Sequence, residues 1–226
     1  QLYEASGLRT EFIGHPFGDE MEHLRITSGR ESNLVGFLPG SREREVAALF
    51  PVMCETATIL SRQFPELRFE VAAASDARAD QIRNLLAGHT GPEIHVSVGR
   101  ACNLMQRATV GVVASGTASL QAAFFGLPYC LVYKVAPLTY FAARAVMKVE
   151  YIGMVNILAR SEIVRELLQK DCKPSAVSEA LGVLLQSAEK RNALSAELAA
   201  VTAPLTEPGA SRRAAEVIYR AILEKT

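Results

Sequence analysis

Short runs that are apolar residue after residue, spaced by segments of helical periodicity, constrain this chain more than any other feature. Leu34–Leu38, 69–73, Val110–Ala114 and 129–135 are such runs, and 95–98 is a weaker one. A strand with one face in water alternates apolar and polar residues, whereas one covered on both faces does not. Between the runs, Val46, Leu49, Phe50, Met53, Ala57, Leu60 and Phe64 recur at helical spacing. Pro51 falls inside that pattern and is expected to kink or restart the helix. Residues 77–86, Ala101–Arg107 and 118–125 read as further helices. The alternation predicts an α/β fold, a Rossmann-like parallel sheet with helices on both faces. From Pro137 onward helical patterns run nearly unbroken, punctuated by Pro174, Pro204 and Pro208-Gly209, so the last third is expected to be helical.

Composition excludes some partners. Lys plus Arg equals Asp plus Glu at 24 each in 226 residues, which gives no basic surface for nucleic acid. No run approaches the ~18 apolar residues that a membrane span needs. Cys54, Cys102, Cys130 and Cys172 lie far apart, and His15, His23, His89 and His95 have no ligand spacing. Neither a metal nor a cofactor is expected, and the thiols read as reduced structural cysteines. The chain starts at Gln1 without an initiator Met, in what reads as an ongoing domain, so a preceding N-terminal part is expected.

Two strand-to-helix junctions carry the chemistry. In the first, Pro39-Gly40-Ser41-Arg42 follows an apolar run. Gly40 permits a tight turn and close backbone approach. Ser41 is expected to cap the next helix, and Arg42 offers a planar fork of donors suited to phosphate oxygens. In the second, Ser115-Gly116-Thr117 stands where a helix begins. Free N–H groups and the helix dipole there favour an anion, and small side chains keep the approach open. Neither junction has the Gly-Lys-Ser/Thr of a Walker loop or a GxGxxG. Either one alone is also ordinary α/β punctuation.

Taken in order, "LPGSRERE", "ASGTASLQAAFFGLPYCLVYKVAPLTYFAAR" and "YIGMVNILARSEIVRELLQKDC" closely resemble the C-terminal half of the lipid-A-disaccharide synthase family. "FIGHPFGDEM" resembles the segment that ends that family's N-terminal half. The block "VNILARSEIVRELLQ" is the most specific part of the likeness. "SGTASL…GLP" is shared more widely among nucleotide-sugar enzymes.

The resemblance implies one half of a GT-B glycosyltransferase of lipid A biosynthesis in Gram-negative bacteria. Such an enzyme inverts configuration and joins UDP-2,3-diacylglucosamine to 2,3-diacylglucosamine 1-phosphate, releasing UDP. It is implied to be cytoplasmic and peripheral at the inner membrane. This half would bind UDP, and the catalytic base would lie in the N-terminal half. On that basis residues 1–30 end the N-terminal half and link across, 31–203 form the donor domain, and 204–226 form a C-terminal helix. The UDP contacts implied are Gly40, Ser41, Arg42, Ser115, Gly116, Thr117, Gln121, Asn156 and Glu162. Gln121 departs from the family, which usually carries Glu there to hold the ribose. For Glu162 the alternative is a helix N-terminal carboxylate after Ser161, and for Glu166 and Gln169 a solvated helix surface. Tyr133 and Lys134 either line the pocket or cap the sheet. Residues 136–149, apolar with Arg144 and Lys148, read as a core helix or a membrane-surface helix. Ala210–Leu223 is expected to pair two copies or to fold back on an N-terminal half. Other readings are an enzyme like UDP-N-acetylglucosamine 2-epimerase and a non-catalytic nucleotide-binding module.

Overall fold

A computed structural model describes residues 7, 10–11, 13–135 and 150–223. The membrane-helix and core-helix readings of 136–149 therefore lie outside the described residues. Contacts divide the chain into two units: residues 25–201, and residues 1–24 together with 202–226.

The larger unit is a six-stranded sheet in the order β3-β2-β1-β4-β5-β6, every pair parallel. Its elements are β1 (Leu34–Leu38), α2 (Glu43–Gln63), β2 (Arg68–Ala73), α3 (Asp76–Leu86), β3 (Ile94–Val98), α4 (Ala101–Arg107), β4 (Val110–Ala114), α5 (Thr117–Phe124), β5 (Tyr129–Tyr133), α6 (Met154–Ala159), β6 (Glu166–Leu168), α7 (Pro174–Gln186) and α8, which begins at Ala188. The fold is the α/β architecture that the apolar runs require. β1 and β4 are buried at all five positions, while the edge strands β3 and β6 are only partly buried. Side chains alternate between the two faces, as a pleated strand dictates. Val35 and Phe37 of β1, Val110 and Val112 of β4, and Cys130 and Val132 of β5 meet α2, α3 and α7 in one core. The opposite face is covered by α4 and α5.

Two expectations fail here. α2 runs unbroken through Pro51, so the proline does not restart it. Leu49, Phe50, Val52 and Met53 around it are all buried, and that packing offsets the lost hydrogen bond. The last third is not wholly helical, because β6 adds a parallel edge strand beside β5. Only Leu167 of its three residues is buried, too little to register as an apolar run. Cys54, Cys130 and Cys172 are buried free thiols and Cys102 is half-buried.

In the smaller unit, Asp19 of α1 (Phe17–Glu22) caps α9 (Ala210–Leu223). Its Oδ1 accepts from Gly209 N at 2.7 Å and its Oδ2 from Ser211 N at 3.3 Å. These bonds hold the Asp19 carboxyl below its ordinary range. Arg213 Nε donates to Ile13 O at 2.8 Å, which ties residue 13 to α9. Ile218 and Tyr219 on α9 are exposed.

Candidate functional site: the switch point between β1 and β4

The strand order reverses between β1 and β4. In open α/β sheets ligands lie beyond the carboxyl ends of the strands at such a reversal. The two strands are hydrogen-bonded neighbours, with Leu38 opposite Val113. The junctions picked from the sequence, 39–42 and 115–117, therefore leave the sheet side by side. α2 then packs on one face and α5 on the other, the arrangement that places a ligand crevice at the switch point of open α/β sheets.

The two helix starts differ in charge. α2 carries Glu43 and Glu45 in its first turn. Glu45 Oε2 accepts from Arg42 N at 3.3 Å, and Glu45 Oε1 meets Arg42 Nη1 at 2.6 Å. Arg42, not Ser41, is the N-cap residue, which corrects the sequence expectation. Its side chain has no acceptor to offer the helix, so the cap comes from Glu45 alone. Gly40 (φ +101°) leaves room for that fold-back, since a Cβ there would collide with the Glu45 carboxylate. One helix terminus is thus already partly neutralised from within.

The start of α5 is vacant by comparison. It has no acidic residue in its first turn and no side-chain cap. Gly116 (φ +145°) occupies the N-cap in a conformation that L side chains rarely adopt, and a Cβ there would meet nothing within 4 Å. Gly116 and Thr117 are exposed and Ser115 is half-buried. The turn is nonetheless fixed. Ser119 Oγ donates to Gly116 O at 2.7 Å, and the buried Tyr129 hydroxyl donates to Ser119 O at 3.0 Å. Burial raises the Tyr129 pKa well above its ordinary value, so the hydroxyl remains a donor. At the far end of α5, Arg30 donates to Phe125 O at 2.6 Å and to Met105 O and Ala108 O at 2.9 and 2.8 Å. One guanidinium thereby holds the carboxyl ends of both α4 and α5, where the helix dipoles favour a cation. Burial lowers its pKa to about 10. An oriented, uncapped helix N-terminus can bind an anion through backbone N–H groups without reorganising.

Gln121 is half-buried one turn beyond Thr117 on the same helical face, and its amide has no hydrogen-bond partner among the described residues. Asn156 is different. It is fully buried; its Oδ1 accepts from Ile163 N and Val164 N, both at 2.9 Å, and its Nδ2 donates to Val164 O and Glu166 Oε1 at 2.7 and 2.8 Å. Every donor and acceptor of that amide is spent on the protein, which leaves none for a nucleotide. Glu162 is exposed and lies in no helix; it accepts from Arg165 Nη1 and from Glu166 N, each at 3.3 Å. The helix N-terminal alternative for Glu162 is therefore wrong. So is the solvated helix surface for Glu166 and Gln169, which belong to β6 and the short 3-10 turn after it.

Sequence reasoning passed over Arg100. It follows Gly99 at the carboxyl end of β3, exposed and without an ion-pair partner among the described residues. The strand–Gly–polar–helix pattern that marked the other two junctions is present there as well. Lys134 stands at the end of β5. Among the described residues no group of three or more His, Cys, Asp or Glu could hold a metal ion.

Sheet order and switch point together define a Rossmann-like domain, a fold that solved sugar-nucleotide enzymes share. The spinosyn rhamnosyltransferase SpnG superposes on it with a TM-score of 0.56 at 15% identity, over 84% of this chain and 46% of that one. A UDP-GlcNAc 2-epimerase from Neisseria meningitidis, solved with UDP-GlcNAc, does so with a TM-score of 0.54 at 13% identity, over 84% and 45%. At such identities the likeness concerns the fold alone. Sequence settles the family: the lipid-A-disaccharide synthetase family model matches residues 1–219, and the chain belongs to that family. It is 34% identical over 228 residues to the lipid-A-disaccharide synthase of Geobacter sulfurreducens, and 36% identical over 226 residues to that of Chromohalobacter salexigens. Each alignment covers 96% of this chain but 58% of the relative. The chain thus spans rather more than half the length of the curated relatives it matches.

Proposed function

We propose that this chain is the donor-binding half of a hexosyltransferase of lipid A biosynthesis. The reaction transfers 2,3-diacylglucosamine from UDP to 2,3-diacylglucosamine 1-phosphate and releases UDP. One observation carries the reading: the α5 N-terminus at the β1/β4 switch point is open, uncapped and free of first-turn acids. In this reading the N–H groups of Gly116 and Thr117 receive the diphosphate, with the Ser115 hydroxyl beside them, since the Ser115 N–H already donates to Val132 O at 3.0 Å. Arg42 reaches it from the β1 side, Gly40 and Ser41 line the approach, and Gln121 meets the ribose. Charge that builds on the departing diphosphate is then met by oriented donors. Asn156 and Glu162 support the adjoining wall instead of touching UDP. The acceptor site and the catalytic base belong to an N-terminal half, whose end and linker residues 1–30 form. Acylated substrates call for work at the inner-membrane surface; among the described residues no helix is long and apolar enough to cross a membrane.

The test is reconstitution. The chain alone makes no disaccharide, and adding the N-terminal half of a matching synthase restores turnover, because positioning the acceptor and removing its proton need that half. Robust synthesis by the 226-residue chain would overturn the division of labour. An epimerised UDP-sugar in place of a disaccharide would favour the epimerase reading.

A further inference from the structure

Two polar side chains of the family-specific block, Glu166 and Gln169, are spent on backbone more than ten residues away. Gln169 Oε1 accepts from Val135 N at 3.1 Å and its Nε2 donates to Val135 O at 3.2 Å. Glu166 Oε2 accepts from Ile152 N at 2.9 Å, and Oε1 accepts from Gly153 N at 2.9 Å. These two side chains, three positions apart, therefore hold the chain immediately before and immediately after 136–149. Gln169 does so in the left-handed region (φ 49°), which costs a non-glycine residue energy and persists only where its surroundings demand it. That conformation ends β6 after Leu168, which pairs with Tyr133, and the Gln169 amide takes over from the sheet ladder at Val135. Glu166 is held in turn by Asn156 Nδ2 at 2.8 Å. Gly153 is the N-cap of α6, and α6 packs on α5. The helix whose start forms the anion turn thus has the clasped segment against its side.

We propose that Glu166 and Gln169 are positioning residues: a two-ended backbone clasp at the carboxyl end of β5 that sets the wall of the nucleotide crevice beside α5. Neither touches UDP. The link to nucleotide rests on the donor-site function proposed above; the clasp itself does not.

The test uses the 226-residue chain with Glu166→Gln, Glu166→Ala, Gln169→Ala and Gln169→Glu, read by amide hydrogen exchange, calorimetry with UDP, and thermal melting. Removing one hydrogen-bond partner corresponds to about tenfold faster exchange of the released amides. Glu166→Ala is expected to release Ile152 and Gly153 but not Val135, and Gln169→Ala the reverse. Both should weaken UDP several-fold. Glu166→Gln and Gln169→Glu, which each keep an acceptor oxygen, should recover part of both effects. If Glu166→Ala fails to fold, Glu166→Gln and Gln169→Ala carry the test. Unchanged exchange at these three amides overturns the clasp. Faster exchange with unchanged UDP affinity overturns the positioning role and leaves a purely structural one. No UDP binding by the unaltered chain overturns the donor-site reading and the nucleotide half of this proposal, while exchange still decides the clasp.

Discussion

Replacing Arg42 by alanine separates binding from folding. The Arg42 side chain is 81% exposed, and among the described residues its one partner is Glu45, at 2.6 Å. An exposed pair of this spacing is worth about 0.3–0.5 kcal/mol, so Arg42→Ala should lower folding stability by no more than that. In the donor-site reading proposed above, the guanidinium exchanges this pair on UDP binding for a charge-assisted bond worth about 1.5–3 kcal/mol. The net loss in the variant is then about 1–2.5 kcal/mol, or roughly 5- to 70-fold in affinity at 1.36 kcal/mol per decade. Glu45→Gln sharpens the argument. Its amide oxygen can still accept from Arg42 N, but the competing charge is gone, so UDP should bind about twofold tighter from the released pair energy alone. Calorimetry in EDTA and thermal melts of the three proteins supply both numbers. Unchanged UDP affinity in Arg42→Ala would refute the assignment. A stability loss well above about 1 kcal/mol would show that the side chain does structural work the model of an exposed pair leaves out.

Three further outcomes follow from the same geometry. Arg107→Ala takes the charge partner from the Glu70 carboxylate, 5% exposed and bonded to Arg107 Nη2 at 2.9 Å, and leaves it the Ser97 hydroxyl donating at 2.8 Å; denaturant unfolding should show a loss of about 3–5 kcal/mol. The Arg107 and Arg68 guanidinium groups hold the Glu31 carboxyl below its ordinary value of 4.5. The folded state then binds fewer protons than the unfolded one in that range, so this stabilisation is present above about pH 4.5 and is lost as pH falls below it. Melting curves across pH should show that slope, and Arg107→Ala should flatten it. Gln121→Glu should tighten UDP by about 1 kcal/mol, the difference between charged and neutral hydrogen bonds, and less for 2′,3′-dideoxy-UDP; equal changes for the two ligands would remove Gln121 from the ribose.

The sheet was legible because doubly covered strands must be apolar throughout, and 34–38 and 110–114 are. The two strand-to-helix turns at the switch point were legible because glycine and small polar residues at strand ends are a local signature. What escaped was tertiary. β6 has one buried residue, so only pairing with β5 makes it a strand. Asn156, Glu166 and Gln169 were marked by family likeness, but their partners lie 7 to 34 positions away, a distance no periodicity reaches. The Arg42–Glu45 pair was local and could have been read: a glutamate three residues past an N-cap is a capping signal.

The central claim is that the diphosphate of UDP sits on the backbone N–H groups at the start of α5, beside the end of β1, without a metal. Amide NMR of the 226-residue chain titrated with UDP in EDTA measures this directly. The account predicts saturable shifts concentrated at Ser115, Gly116 and Thr117, with Gly40 and Arg42 following at the same dissociation constant. Saturable shifts confined to residues outside these two turns, or binding that appears only when a divalent metal is added, would contradict it.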